Sequence, residues 1–143
     1  MPTRTAARVI VTVSSSWLAG VYEAGKADIS AFTGRGGKLI LWHGSSDPGP
    51  SARGTIEYYD AALAATPGAA ESVRLFLAPG VGHCRGGDGP DEIDWLAALD
   101  NWVDKGVAPA ELPATKADSA LAWNVCAWPA LPTGQPDGSY ACK

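Results

Sequence analysis

The chain has 143 residues, 46% hydrophobic and 18% charged, which is the size of one domain with enough chain to bury a core. Its 15 acidic residues against 11 Lys and Arg give a formal charge of -4, and no basic run occurs, so nothing attracts a nucleic-acid phosphate backbone. No stretch reaches the ~18 apolar residues of a membrane-spanning helix, because Ser14, Ser15 and Ser16 interrupt the most apolar segment. A soluble protein is expected, with neither nucleic acid nor membrane as partner. Arg4 and Arg8 before Val9 to Val13 have the order of a secretion signal, but the apolar region is short and no clean cleavage site follows. The three cysteines are an odd number: Cys126 and Cys142 could close a loop, leaving Cys84 alone or paired outside the chain.

In chain order, residues 8–13 (Arg-Val-Ile-Val-Thr-Val) are rich in β-branched side chains and predict a strand, followed by Ser14-Ser-Ser-Trp-Leu. Residues 28–33 predict a short helical turn stopped by the glycine cluster Gly34-Arg-Gly-Gly37. Lys38-Leu-Ile-Leu-Trp42 is a continuous apolar run, the pattern of a parallel strand buried on both faces. It ends in His43-Gly-Ser-Ser-Asp-Pro-Gly-Pro50, where proline and glycine require a loop at the C-terminal end of the strand, the edge that carries ligand sites in open α/β sheets.

Ile56, Tyr59 and Leu63 place an amphipathic helix over residues 55–65, stopped by Pro67-Gly68. Residues 73–78 predict a second strand, and Pro79 to Pro90 a glycine-rich loop with His83 near its middle. Asp91 to Lys105 reads as the strongest helix, with acids in its first turn, an apolar stripe of Ile93, Leu96, Leu99 and Val103 flanked by Trp95 and Trp102, and Gly106 at its end. Beyond Pro113 the Ala, Pro and Gly content suggests a wrapping tail without regular elements.

The order β-α-β-α makes the two central strands parallel, so the loops carrying Asp47 and His83 leave the sheet at one edge and can meet. An imidazole beside a carboxylate suits a general base whose tautomer the carboxylate fixes. The acid-then-base order is that of an α/β-hydrolase.

Three segments, Gly36-Gly-Lys-Leu-Ile-Leu-Trp-His-Gly-Ser-Ser-Asp-Pro48, Pro79-Gly-Val-Gly-His-Cys84 and Asp94-Trp-Leu-Ala-Ala-Leu-Asp-Asn-Trp-Val-Asp-Lys-Gly106, resemble the C-terminal end of the tannase and feruloyl esterase family. The resemblance runs from about Asp28 to the C-terminus and leaves about the first 25 residues of this single domain unmatched. It implies a partial α/β-hydrolase-like fold of the α/β class, a short parallel sheet with flanking helices. It further implies that Asp47 and His83 are the acid and base of a Ser-His-Asp triad, with Cys126 and Cys142 as the terminal disulfide. The cysteine that pairs with Cys84 in the family, and the Gly-x-Ser-x-Gly elbow that supplies the nucleophile, have no counterpart in these 143 residues.

Three readings follow. In one, the chain hydrolyses a carboxylic ester or lactone with His83 as base, Asp47 as its orienting carboxylate, and either an activated water or Ser14, Ser15 or Ser16 as nucleophile, Ser15 and Ser16 being the preferred serines. No cofactor is required. In the second, calcium held by Asp88, Asp91 and Asp94 supplies the activated water, although Asp91 and Glu92 also suit the start of a helix. In the third, the chain is a non-catalytic remnant or interaction module and pairs as a homodimer. His43 is expected to bond the loop backbone, and Trp42, Trp95 and Trp102 to pack in the core. The resemblance implies an exported or periplasmic protein acting on aromatic acid esters.

Overall fold

A computed structural model describes residues 25–143. The strand expected over residues 8–13 and the candidate nucleophiles Ser14, Ser15 and Ser16 lie outside the described residues. Helix α1 (Ser30–Thr33) is followed by β1 (Leu39–Gly44), α2 (Ala52–Ala65), a 3-10 turn (Ala69–Glu71), β2 (Val73–Ala78) and α3 (Trp95–Lys105). Four further strands close the chain: β3 (Glu111–Thr115), β4 (Ala122–Cys126), β5 (Pro132–Gly134) and β6 (Tyr140–Cys142). No helix among the described residues is long and apolar enough to cross a membrane.

β1 and β2 pair in parallel over their full length, from Leu39 opposite Val73 to Gly44 opposite Ala78. Alternation along a strand sends successive side chains to opposite faces. Leu39 and Leu41 with Val73, Leu75 and Leu77 accordingly face α2, where Ile56, Tyr59 and Leu63 complete one core cluster. Ile40 and Trp42 with Phe76 and Ala78 form the other, packed against Trp95 and Ala98 of α3 and Leu112, Ala114 and Val125 of the terminal strands. The continuous apolar run of β1, and that of β2 apart from Arg74, therefore follow from packing on two faces.

Two expectations need correction. α3 begins at Trp95 rather than Asp91, because the preceding residues are used elsewhere: Glu92 forms an antiparallel bridge with Thr115, and Asp94 is the N-cap, its carboxylate accepting the Ala97 N–H at 2.9 Å. The stripe that faces inward is Trp95, Ala98 and Trp102, whereas Leu96 and Val103 are 69% and 60% exposed. Trp102 is 1% exposed and lies under the Lys38 and Arg74 side chains, whose charged heads are 5.5 and 5.4 Å from its ring centre.

The segment after Pro113 is also more ordered than a wrapping tail. β3 and β4 form an antiparallel hairpin with Glu111 opposite Cys126, and β5 pairs with β6 through Pro132 opposite Cys142. Cys126 and Cys142 are joined by a disulfide. Just beyond β4, Ala127 bridges Phe76 and the Trp128 N–H donates to the Leu75 carbonyl at 2.8 Å, which attaches the hairpin to the edge of β2 away from β1.

Candidate active site

The site is built where the loops after β1 and β2 cross. The Ser45 N–H donates to the Ala78 carbonyl and the Ser46 N–H to the Val81 carbonyl, both at 3.0 Å, while the Ser45 hydroxyl accepts the Gly80 N–H at 3.2 Å. Gly44 lies at the crossing. A Cβ there would stand 2.5 Å from the Gly82 carbonyl oxygen and run into that of Val81, so only glycine lets the loops approach this closely.

The crossing brings Asp47 to His83 as the strand order requires, with Asp47 Oδ2 2.7 Å from His83 Nδ1. The carboxylate accepts, so Nδ1 carries a proton, and in the neutral ring Nε2 is then the nitrogen that holds the lone pair. The Asp47 side chain is 6% exposed and His83 60%, which leaves a buried carboxylate behind an accessible imidazole. Asp47 Oδ1 accepts the Gly49 N–H at 2.7 Å, closing an Asx turn over Asp47-Pro-Gly. Burial is the largest single effect on the Asp47 carboxyl and pushes it up, but the Gly49 N–H and the His83 and His43 rings together outweigh it and hold the group below the usual carboxylate range.

His43 closes the other side of the aspartate. Its Nε2 lies 3.1 Å from the Pro50 carbonyl, which can only accept, so Nε2 carries a proton that also faces Asp47 Oδ2 at 3.5 Å. Its Nδ1 is 2.7 Å from the Thr55 hydroxyl. With both nitrogens engaged, His43 bonds the loop, as expected from the sequence. Trp42, His43, Gly44, Asp47, Pro50, His83 and Cys84 line a cleft of about 130 Å³. A wider hollow of about 570 Å³ adjoins it across Trp42 and Cys84 and is walled by Arg85, Asp91, Glu92, Ile93, Asp94 and Trp95. Trp42 and Trp95 stack with ring centres 5.2 Å apart, in keeping with a packing role. Cys84 is a free, exposed thiol.

Calcium finds no cradle among the described residues: no group of three or more His, Cys, Asp or Glu side chains is arranged to hold a metal ion. Asp94 caps α3, and Asp91 accepts the Gly86 N–H at 2.7 Å. That bond is the main cause that holds the Asp91 carboxyl below its usual range; burial opposes it, and the Lys116 and Arg85 charges add to it. The expected set of Asp88, Asp91 and Asp94 is not gathered into one such group, and two of its three carboxylates bond the backbone of the loop and helix.

Several contributors were missed. Gly49 had a signal in the Asp-Pro-Gly turn, and Thr55 had none before the helix start at Ala52 placed it one turn in. Asp91, read from the sequence only as a calcium ligand or helix start, accepts the Gly86 N–H, and Lys116 donates to the Gly87 and Gly89 carbonyls, a contact that nothing local in the sequence marks.

Residues 5–143 match the family described as tannase and feruloyl esterase. The chain belongs to that family. A mono(2-hydroxyethyl) terephthalate hydrolase of Piscinibacter sakaiensis is 50% identical over 91 residues, covering 64% of this chain and 15% of that protein. A probable feruloyl esterase of Arthroderma benhamiae is 41% identical over 115 residues, covering 73% of this chain and 21% of its own. Among solved structures, a tannin acyl hydrolase from Aspergillus niger superposes with a TM-score of 0.73 at 26% identity, over 90% of this chain and 27% of that one. The chain thus has an α/β-hydrolase fold in part, and spans less than a third of the relatives it matches.

Proposed function

We propose that this chain carries the acid and base of a carboxylic ester hydrolase. The observation that carries the reading is the 2.7 Å bond from His83 Nδ1 to the buried Asp47 carboxylate, which leaves Nε2 of an exposed ring without a protein partner among the described residues, in a chain of this family. Nε2 takes the proton of the attacking oxygen, the new C–O bond forms at the ester carbonyl, and the imidazolium beside Asp47 returns the proton to the leaving alkoxide as its C–O bond breaks. The attacking oxygen belongs to water or to Ser15 or Ser16; with a serine, a water then attacks the acyl-serine with the same proton transfers, releasing the acid and restoring the hydroxyl. Small esters and lactones are the substrate class. The names of the relatives, which include a feruloyl esterase and a tannin acyl hydrolase, favour esters of aromatic acids. The Cys126–Cys142 disulfide favours an oxidising, exported setting.

The test is hydrolysis of an activated aryl ester by the chain and by His83→Ala, purified identically. A loss of about a hundredfold or more is expected on removing a general base. Equal rates, or none above buffer for the parent chain, overturn the reading and leave an interaction module. Fluorophosphonate labelling then separates serine from water, since only a nucleophilic serine is modified.

A further inference from the structure

The loop that presents His83 is made of the residues least able to hold a shape. Glycines 80, 82, 86, 87 and 89 have more backbone freedom to lose than any other residue type, and Gly80, Gly86 and Gly87 sit at positive φ. The tip His83-Cys84-Arg85 rises from a neck closed by the Gly82 N–H to the Gly86 carbonyl at 3.0 Å, the Val81–Gly87 bridge, and the Gly89 N–H to the Gly80 carbonyl at 3.0 Å. The His83 ring itself is mostly exposed and Asp47 is its one hydrogen-bonding partner among the described residues, so its position depends on where this neck holds the backbone.

The neck is gripped from a distant part of the chain. Lys116 Nζ donates to the Gly87 carbonyl at 2.6 Å and to the Gly89 carbonyl at 3.1 Å. The lysine is delivered there by β3: Thr115 and Glu92 exchange backbone hydrogen bonds at 2.9 and 3.1 Å, and the Lys116 N–H donates to the Leu121 carbonyl, closing the hairpin turn. The residue before Glu92, Asp91, accepts the Gly86 N–H at 2.7 Å. A solvated surface lysine has no fixed acceptors; this ammonium spends two of its three donors on carbonyls of one loop.

We infer that Lys116 is a positioning residue for His83, its ammonium clamping the Gly87 and Gly89 carbonyls so that the glycine loop delivers the imidazole to Asp47. The catalytic consequence rests on the ester-hydrolase reading above, whereas the clamp itself does not. The terminal hairpin thereby acquires a task at the site, that of supplying the cation that fixes the base.

The experiment uses the full chain labelled with ¹⁵N. In the parent protein the Lys116 ammonium is expected to give a slowly exchanging proton–nitrogen signal, and the His83 Nδ1–H a downfield imidazole proton. Lys116→Met keeps the aliphatic stem and removes the donors. It should broaden the His83 proton into solvent exchange and lower kcat on an aryl ester on the order of ten- to a hundredfold, with KM within about twofold and the melting temperature within a few degrees. Lys116→Arg, which restores a cationic donor, should recover both readouts in large part. A His83 proton as sharp in Lys116→Met as in the parent overturns the clamp, whatever the rates. A freely exchanging Lys116 ammonium in the parent protein also overturns it and needs no variant to fold. If the parent turns over no ester while the His83 proton still depends on Lys116, the clamp stands and the hydrolase reading fails.

Discussion

Asp47 combines two jobs that a single atom change can separate. One oxygen holds the Gly49 N–H and shapes the turn, while the other holds His83. Asp47→Asn keeps the size and leaves an oxygen for Gly49, but offers His83 an amide in place of a carboxylate, so the imidazole loses both its enforced tautomer and the charge that stabilises its protonated form. Aryl ester turnover is expected to fall by at least about a hundredfold with little change in urea stability. Equal loss of stability and rate would point instead to a collapsed turn. Gly44→Ala acts through packing. The added methyl meets the Val81 and Gly82 carbonyls, which are backbone and cannot rotate away, so a cost of about 1–3 kcal/mol in urea unfolding is expected together with loss of the His83–Asp47 contact. Gly44, expected in the loop from the sequence, is the last residue of β1, and its tight packing shows only once the two loops cross; Asp47 was readable in advance as a polar side chain at the C-terminal end of an apolar strand. Lys116 was not: a lysine near the end of an unpredicted strand looks like any other until the fold brings the loop to it.

Among the elements, the parallel pair β1 and β2 and the helix α2 were readable because each carries a clear pattern: apolar runs, broken only by Arg74, for strands packed on both faces, and Ile56, Tyr59 and Leu63 for one helix face. α3 was misread by about a third of a turn. Its sequence offers two apolar stripes, and the tryptophans win the inward face because each buries far more area than Leu96 or Val103. Trp102→Ala should therefore cost about 3–5 kcal/mol, while Leu96→Ala and Val103→Ala should each stay within about 0.5 kcal/mol, as measured by urea unfolding. The opposite ranking would restore the stripe first read from the sequence. β3 to β6 escaped detection for a physical reason too. Strands of three to five residues show little periodicity, and here Pro113 and Pro132 interrupt the usual strand composition while pairing is set by partners far along the chain.

The terminal strands are fastened to the rest of the molecule by Ala127 and Trp128 on β2, by Glu92 on Thr115, and to one another by the Cys126–Cys142 disulfide, whose cysteines are 16 residues apart. A loop of that length constrains the unfolded chain by about 3 kcal/mol, so the double variant Cys126→Ser, Cys142→Ser should lose roughly that much. Acid should loosen the structure independently of the disulfide. Asp28, Asp91 and Asp137 are held below the usual carboxylate range mainly by hydrogen bonds from Ser30, Gly86 and Ser139, and Asp47 is lowered by its turn and histidine partners against the opposing effect of burial. A carboxyl whose pKa is lower folded than unfolded binds fewer protons in the native state. Its stabilisation is complete above the unfolded value of about 3.9 and is lost as the pH falls through the folded one. The urea midpoint should thus stay nearly flat with respect to these groups above about pH 5 and decline below about pH 4. Because Asp47 accepts from the His83 ring and Asp91 from the Gly86 N–H of the same loop, the downfield His83 proton should disappear over the same acid range in which the midpoint declines. Disappearance well above that range, with the midpoint unchanged, would show that the loop opens without these carboxylates being protonated.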